Sequence, residues 1–348
     1  MAIRLGHRVV QLAGSPVDEF HAELSRLYAR DSAAVLAEHH AVQFAYVEPG
    51  GSWRFPARLD AASLAAARSV PAPAAIAHLM ALRPDVVVPQ MFCRPGMTAY
   101  RALLDVLGLP YVGNTAQVMA NTADKAVARA LVAAYGVAVP AGQLVTNASD
   151  VRLELPVVVK PARSDNSLGV SLVQDASTLA VAVAHAAELD AGVLVETYIP
   201  LGREVRCGVL EVDGELVCLP LEEYALDAQR APIRLADDKL GRTAGGDLRL
   251  VATDAGRAWI LAGDDAADDT VVDAVFDAAR TCFRALGCRH YGLFDFRIDP
   301  QGRPWFLEAG PYCSFAPSSV VAKMAEAAGL SLPALFDTVC RQARIGAS

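Results

Sequence analysis

Hydrophobic and polar positions follow two rhythms along this chain, and the point where one gives way to the other divides it. In the first third, short apolar runs alternate with stretches of helical period. Residues 8–12 read as a strand ended by Gly14-Ser15-Pro16, residues 17–37 as a helix with Asp18 and Glu19 in its first turn, and 43–47 as a second strand. Residues 61–82 are alanine-rich and read as one helix despite Pro71 and Pro73, and the valine run 85–89 reads as a further buried strand. A helix over 100–107 and a strand and turn over 109–114 follow. This alternation predicts a parallel sheet, hence an α/β region.

Residues 122–135 read as a helix carrying Lys125 and ended by Gly136 and Pro140, followed by a strand at 157–160, a helix at 176–188 and a strand at 193–196. From Gly202 the strands lengthen and the connections become hairpins. Residues 203–210 and 215–221 are joined at Asp213-Gly214, a strong hairpin signal. The polar, glycine-bearing stretch 227–266 matches no element template. An amphipathic helix over 270–286 leads into strands 291–298 and 304–308 around Asp299-Pro300-Gln301-Gly302, and the chain continues with a helix over 318–328 and another from 332. No internal repeat or low-complexity tail is visible.

Composition narrows the function classes. A chain of 348 residues exceeds one core, so two or three lobes are expected. With 53% hydrophobic and 20% charged residues it reads as a well-packed globular protein, and a net charge of -8 argues against a nucleic-acid footprint or an anionic membrane surface as partner. The seven cysteines form no close pair, which predicts reduced thiols and a cytoplasmic setting. No leader and no membrane-spanning run is expected.

Three stretches carry candidate chemistry. The run 156–161 sets Lys160 at the end of a valine strand, where a cation needs an anionic partner, and the loop Ser164-Asp165-Asn166-Ser167-Leu168-Gly169-Val170 is rich in residues that expose backbone N–H groups. A phosphate fits this pattern; by itself it fits a surface lysine before an ordinary hairpin equally well. The loop 90–98, at the carboxyl end of a strand and before a helix, is where α/β folds place ligands, with Arg94 as a partner for a carboxylate and Gly96 beside it; the alternative is a turn built by Pro95 and Gly96. Asp295 and Glu308 lie on adjacent strands of one hairpin and can point to one face, where a cation between them would relieve their repulsion. Mg²⁺ suits such a pair when substrate phosphates complete its shell.

Taken together, Lys125, Lys160, Ser167-Leu168-Gly169-Val170, Glu196-Thr197-Tyr198-Ile199, Gly202-Arg203-Glu204-Val205, Asp295 and Glu308 resemble the ATP-grasp ligases in order and spacing, and within them the D-Ala-D-Ala ligase branch. The resemblance covers nearly the whole chain. It implies an ATP-grasp fold of α/β and α+β lobes, at 1–118, 119–200 and 201–348, with ATP between the second and third. It also implies that Lys125 and Lys160 contact phosphates under the loop of Ser167 and Gly169, that Glu196 to Ile199 line the adenine with Thr197 among them, that Glu204 takes the ribose hydroxyls, and that Asp295 and Glu308 hold Mg²⁺. Lys239 would be a further phosphate contact. Such ligases also suggest a homodimer.

Departures from the branch are specific. Gly310 stands where an asparagine helps to hold metal, Leu293 where an arginine would stabilise transition-state charge, and the sequence 91–97 replaces the acidic loop that recognises D-alanine. The stretches 89–98, 202–208 and 307–315 are similar to the ligases of mycosporine-like amino acid biosynthesis. That resemblance implies joining the amine of serine, threonine or a similar amino acid to mycosporine-glycine through a phosphorylated cyclohexenone, giving an imino-mycosporine of shinorine or porphyra-334 type. Arg94 or Arg206 would then meet the glycine carboxylate, Arg206 serving equally in a structural ion pair. Ser318 and Ser319 would receive the incoming amino acid, or simply cap the last helices. The alternatives are a dipeptide or amide ligase working through an acyl phosphate, and a nucleotide-binding protein without catalysis.

Overall fold

The computed structural model describes residues 6–164, 167–234, 240–242, 248–250, 257–261 and 270–345. Lys239, Asp165 and Asn166 lie outside the described residues.

The first sheet runs β3 (Trp53–Arg54), β2 (Ala41–Val47), β1 (Arg8–Gly14), β4 (Val86–Pro89), with β1 parallel to both β2 and β4, as the alternating pattern predicts. Its strands are apolar on both faces because both are covered. Val10, Leu12 and Val87 pack with Leu79 and Leu104 of the helices Ala72–Leu82 and Ala99–Val106. Val9, Val86 and Val88 pack with Phe336, Val339 and Cys340 of the helix Leu332–Ile345 and with Met324 of the helix Val320–Ala327.

The second sheet runs β5 (Gly142–Val145), β8 (Val193–Thr197), β6 (Val157–Pro161), β7 (Ser171–Val173) and is antiparallel throughout. Val157, Val159, Val193 and Val195 face the helix Ala176–Leu189. The third sheet runs β14 (Ala258–Ile260), β11 (Glu222–Tyr224), β9 (Arg203–Val212), β15 (Tyr291–Ile298), β16 (Pro304–Ala309), with β10 (Glu215–Cys218) folded back on β9. The β9–β10 turn sits at Asp213 (φ 51°) and Gly214 (φ 88°), left-handed at both positions, as the Asp-Gly pair predicts. One face of this sheet is apolar, with Val205, Cys207, Phe294, Phe296 and Phe306 packed on Phe283 of the helix Thr270–Leu286 and on Val132 of the helix Lys125–Ala134. Strands β12 (Leu240–Arg242) and β13 (Leu248–Leu250) form a separate pair.

Several boundaries differ from the sequence pattern. Residues 61–82 are two helices, Ala61–Ala66 and Ala72–Leu82, because Pro71 disfavours a helical residue before it and Val70 instead pairs with Trp53. Residues 109–114 contain no strand beyond the bridge of Tyr111 to Val87. The helix bearing Lys125 starts at that residue, capped by Asp124, and Thr122 ends a separate helix, Ala116–Thr122.

The segment after Tyr111 ties the first sheet to the third. The Asn114 side-chain amide donates to the carbonyls of Tyr291 (2.8 Å) and Pro311 (2.9 Å), and Gly113 N donates to His290 Nδ1 (2.9 Å). The free face of the third sheet therefore looks toward the second sheet across a cleft.

Candidate active site

The cleft, open to solvent, holds a cavity of about 100 Å³ and is lined by residues of both sheets. Its first wall is built by β6. Alternation turns Val157 and Val159 into the core and leaves Val158 and Lys160 on the cleft side. Lys160 is 7% exposed, and its Nζ lies 2.6 Å from Glu196 Oε2, while Arg129 Nε donates to Glu196 Oε1 at 3.1 Å. One carboxylate thus orients two cations, and the excess of positive charge faces the cavity. Lys125, at the first turn of its helix, reaches the same wall and donates to the Ser164 carbonyl. Ser167 lines the cleft in the left-handed region (φ 57°). Gly169 (φ 72°) does not line it. A Cβ there would stand 2.7 Å from Leu189 Cδ1 and 2.8 Å from Pro161 Cγ, so this glycine lets the loop fold flat against β6.

The second wall is the polar face of the third sheet. Buried charges at alternate positions of β9 and β15 face each other: Asp295 is the register partner of Arg206, and Arg297 that of Glu204. Arg206 grips Asp295 with Nε to Oδ1 at 2.5 Å and Nη2 to Oδ2 at 2.7 Å, and Arg297 reaches Glu204 Oε2 from Nη2 (2.5 Å) and Nε (3.0 Å). Behind Arg206, Glu222 Oε2 lies 3.8 Å from Nη1 and accepts from the Tyr224 hydroxyl at 2.6 Å. Burial pulls the Arg206 guanidinium down, and Asp295 with its neighbours more than reverses that, leaving it well above its ordinary value. Burial also pushes the Tyr224 phenol well above its ordinary value, so it serves as a donor.

Glu308 reaches this face through an irregularity. On β16, Pro304, Trp305 and Phe306 pair with Ile298, Arg297 and Phe296, and strict alternation would next set Leu307 opposite Asp295. The ladder instead shifts between Phe296 and Asp295, Leu307 is the extra residue, and Glu308 becomes the direct partner of Asp295. Both Leu307 and Glu308 line the cleft.

Other sequence candidates fall elsewhere. Thr197 and Ile199 line the cleft and Glu204 closes its end, but Glu196 does not reach it, being held behind Lys160. Arg206 is likewise turned onto Asp295 and not into the cavity. Arg94 opens the short helix Arg94–Met97 and is exposed outside the cleft. Gly96 is needed for packing, since a Cβ would come 2.3 Å from Met91 Cβ. Ser319 caps the helix Val320–Ala327 by accepting from Ala322 N at 3.4 Å, with Ser318 just before it. Arg129, Arg234 and Arg297 were absent from the sequence candidates. The signal for Arg297 was present in the repeats Glu204-x-Arg206 and Asp295-x-Arg297, where opposite charges recur two apart on adjacent strands.

Two opposed carboxylates beside a cavity fit a divalent ion whose shell is completed by phosphate oxygens. Among the described residues no group of three or more His, Cys, Asp or Glu side chains would hold a metal alone. Nor is any described helix long and apolar enough to cross a membrane.

Comparison with known proteins agrees with this geometry. The family model described as D-ala D-ala ligase C-terminus matches residues 139–231 and 258–341. A D-alanine–D-alanine ligase of Gloeobacter violaceus is 32% identical over 253 residues, covering 69% of this chain and 75% of its own. Two solved structures share the fold: the VanG D-Ala:D-Ser ligase of Enterococcus faecalis, with a TM-score of 0.72 at 21% identity over 96% of this chain and 98% of its own, and the D-alanine–D-alanine ligase of Bacillus anthracis complexed with ATP, with a TM-score of 0.70 at 18% identity over 98% and 99%.

Proposed function

The chain belongs to the D-Ala-D-Ala ligase family and is an ATP-dependent carbon–nitrogen ligase of the ATP-grasp fold, and from that premise we propose that it joins two small molecules by forming an amide through an acyl phosphate. The observation that carries this reading is the cleft with Lys125 and Lys160 on one wall and Asp295 and Glu308 on the other. The lysines would neutralise the phosphates, with Ser167 and its loop shielding the reacting group from water, while Thr197 and Ile199 flank the base and Glu204 accepts from the ribose hydroxyls. Asp295 and Glu308 would hold Mg²⁺, which when bound offsets phosphate charge. A substrate carboxylate oxygen attacks the γ-phosphorus and ADP leaves; the amine nitrogen then attacks the acyl carbon, and phosphate leaves as the amine gives up its proton. The relatives' names, D-alanine–D-alanine ligase and D-Ala:D-Ser ligase, support two amino acids as substrates.

A second reading has its own support. Leu293 and Gly310 bear no polar side chain, and three rings lie in tilted or edge-on contact where the helix Glu19–Leu36 and the loop after β4 meet the segment after Glu308: Tyr28 and Phe92 at 5.0 Å between centroids, Phe92 and Tyr312 at 5.8 Å. Apolar and aromatic surroundings suit a conjugated ring acceptor such as mycosporine-glycine, whose enone oxygen would take the phosphoryl group before an amino acid amine displaces phosphate. One experiment separates the two. Purified protein with Mg-ATP is given D-amino acid pairs, or mycosporine-glycine with serine or threonine, and phosphate release and ultraviolet absorption are followed. Phosphate release with amino acid pairs supports the amide ligase. An ATP-dependent shift of absorption to longer wavelength, with no turnover of amino acid pairs, overturns it in favour of the imine-forming reading.

A further inference from the structure

Arg206, beside the cleft, is the residue whose environment the proposed reaction leaves unexplained. It is a largely buried cation placed on a buried carboxylate that would hold metal, and the two are direct partners on adjacent strands, so the contact is set by the register. Both Asp295 oxygens are engaged, at 2.5 Å and 2.7 Å, in the paired geometry that guanidinium and carboxylate share. The guanidinium is held from its other side as well, by Glu222 at 3.8 Å and over the Tyr224 ring, 5.8 Å from its centroid.

A second, independent observation lies across the hairpin. Gly310, two residues beyond Glu308, offers no side-chain donor, and the three atoms nearest to a Cβ there belong to Tyr312, at 3.7 to 3.9 Å. The wall therefore has one carboxylate already neutralised from the protein side and no side-chain oxygen at position 310.

We propose that Arg206 is a built-in cation of the phosphoryl-transfer site, holding Asp295 so that one divalent ion, and not two, accompanies the bound nucleotide. Arg206 acts through Asp295 as a positioning residue. It fixes the carboxylate's orientation and supplies at the protein side the positive charge that a second ion would bring, and its proximity repels such an ion. The inference rests on the nucleotide-binding part of the ligase reading and is independent of which acceptor is used.

The test counts Mn²⁺ bound to the full chain in the presence of adenylyl imidodiphosphate, by the electron paramagnetic resonance signal of free Mn²⁺ during titration. The wild-type chain is expected to bind one Mn²⁺ per nucleotide site. Arg206→Gln, which keeps a polar side chain but loses the charge, is expected to acquire a second, with its dissociation constant lowered by about tenfold or more. Arg206→Lys is expected to stay at one. A residue that merely braces the sheet would change thermal stability in both variants and the ion count in neither. Two ions of similar affinity on the wild-type chain overturn the inference while leaving the ligase reading in place, as does an unchanged count in a folded Arg206→Gln chain. If Arg206→Gln does not fold, the counts on wild type and Arg206→Lys decide. A wild-type chain that binds neither the analogue nor Mn²⁺ overturns the ligase reading with it.

Discussion

The two walls of the cleft handle buried charge in opposite ways. On the first, Lys160 and Arg129 share the Glu196 carboxylate, and Lys125 stands on the same wall against the Ser164 carbonyl. On the second, Arg206 pairs with Asp295 and Arg297 with Glu204, Glu222 stands behind Arg206, and Arg234 and Glu308 line the cleft. The first wall thus gathers cations around one carboxylate, whereas the second sets its charges in reciprocal pairs. Under the proposed function polyphosphate would meet the first wall and a divalent cation the second, so the complex of the two would bridge the sheets. Position in the fold, more than residue type, decides where each carboxylate stands: Glu196 orients cations from behind the cavity, whereas Glu308 lines it.

This contrast is broken most severely at the lysine that Glu196 orients on the first wall. Lys160→Ala is expected to lower ATP-dependent ligation by about 10³-fold, measured as phosphate release, with circular dichroism unchanged because Arg129 still pairs Glu196. Near-normal turnover would mean that Lys160 serves only to bury Glu196. Removing the Glu308 carboxylate from the second wall with Glu308→Gln is expected to cost about 10²-fold at limiting Mg²⁺, with part of the loss recovered at higher Mg²⁺. A loss insensitive to Mg²⁺ would contradict a metal-holding role.

The paired charges should respond in stability. Arg297→Met leaves Glu204, 6% exposed, without its buried partner, and is expected to destabilise the chain by about 3 kcal/mol in urea titration without nucleotide. The smallest effect belongs to the seam that joins the first sheet to the third, where among the described residues His290 has no ion pair. Burial lowers the His290 imidazole from 6.5 to about 3, with Arg289 and Arg101 adding to the effect, and its Nδ1 accepts from Gly113 N. The unfolded chain therefore takes up the proton first. Stability from this group is complete above about pH 6.5 and is lost as the pH falls toward 3, by about 1.4 kcal/mol per unit at the steepest. Urea midpoints from pH 7 to 5 should fall less steeply in His290→Asn than in the wild-type chain; equal slopes would remove His290 from the account.

Much of this was legible in the sequence where a local rule governs. The valine runs of β1, β4 and β6, the Asp-Gly hairpin and the amphipathic helix Thr270–Leu286 follow from composition and period, and they appear at or within a few residues of the predicted places. What was hidden depends on contacts between distant segments. The expectation that Asp295 and Glu308 share a face rested on simple alternation, yet alternation alone would have turned Leu307 toward the site, and only the bulge brings Glu308 there. The attachment of Glu196 to Lys160 and of Arg206 to Asp295 required knowing which strands are neighbours. Gly96 was read as a loop residue near substrate because its close approach to Met91 is a fact of packing. In the break within residues 61–82, helix propensity lost to proline and to the pairing of Val70 with Trp53.

One arrangement bears on how the chain is made. One face of the first sheet is covered by residues that come more than 200 positions later, Phe336, Val339 and Cys340 against Val9, Val86 and Val88. During synthesis those valines leave the ribosome long before their cover does, by roughly ten to sixty seconds at ordinary elongation rates. Through that interval a flat, apolar sheet is half finished and open to the wrong neighbours, so the last helices act as a closing step for the earliest part of the chain. The burden this sets is one of timing: the fold needs its first sheet to wait.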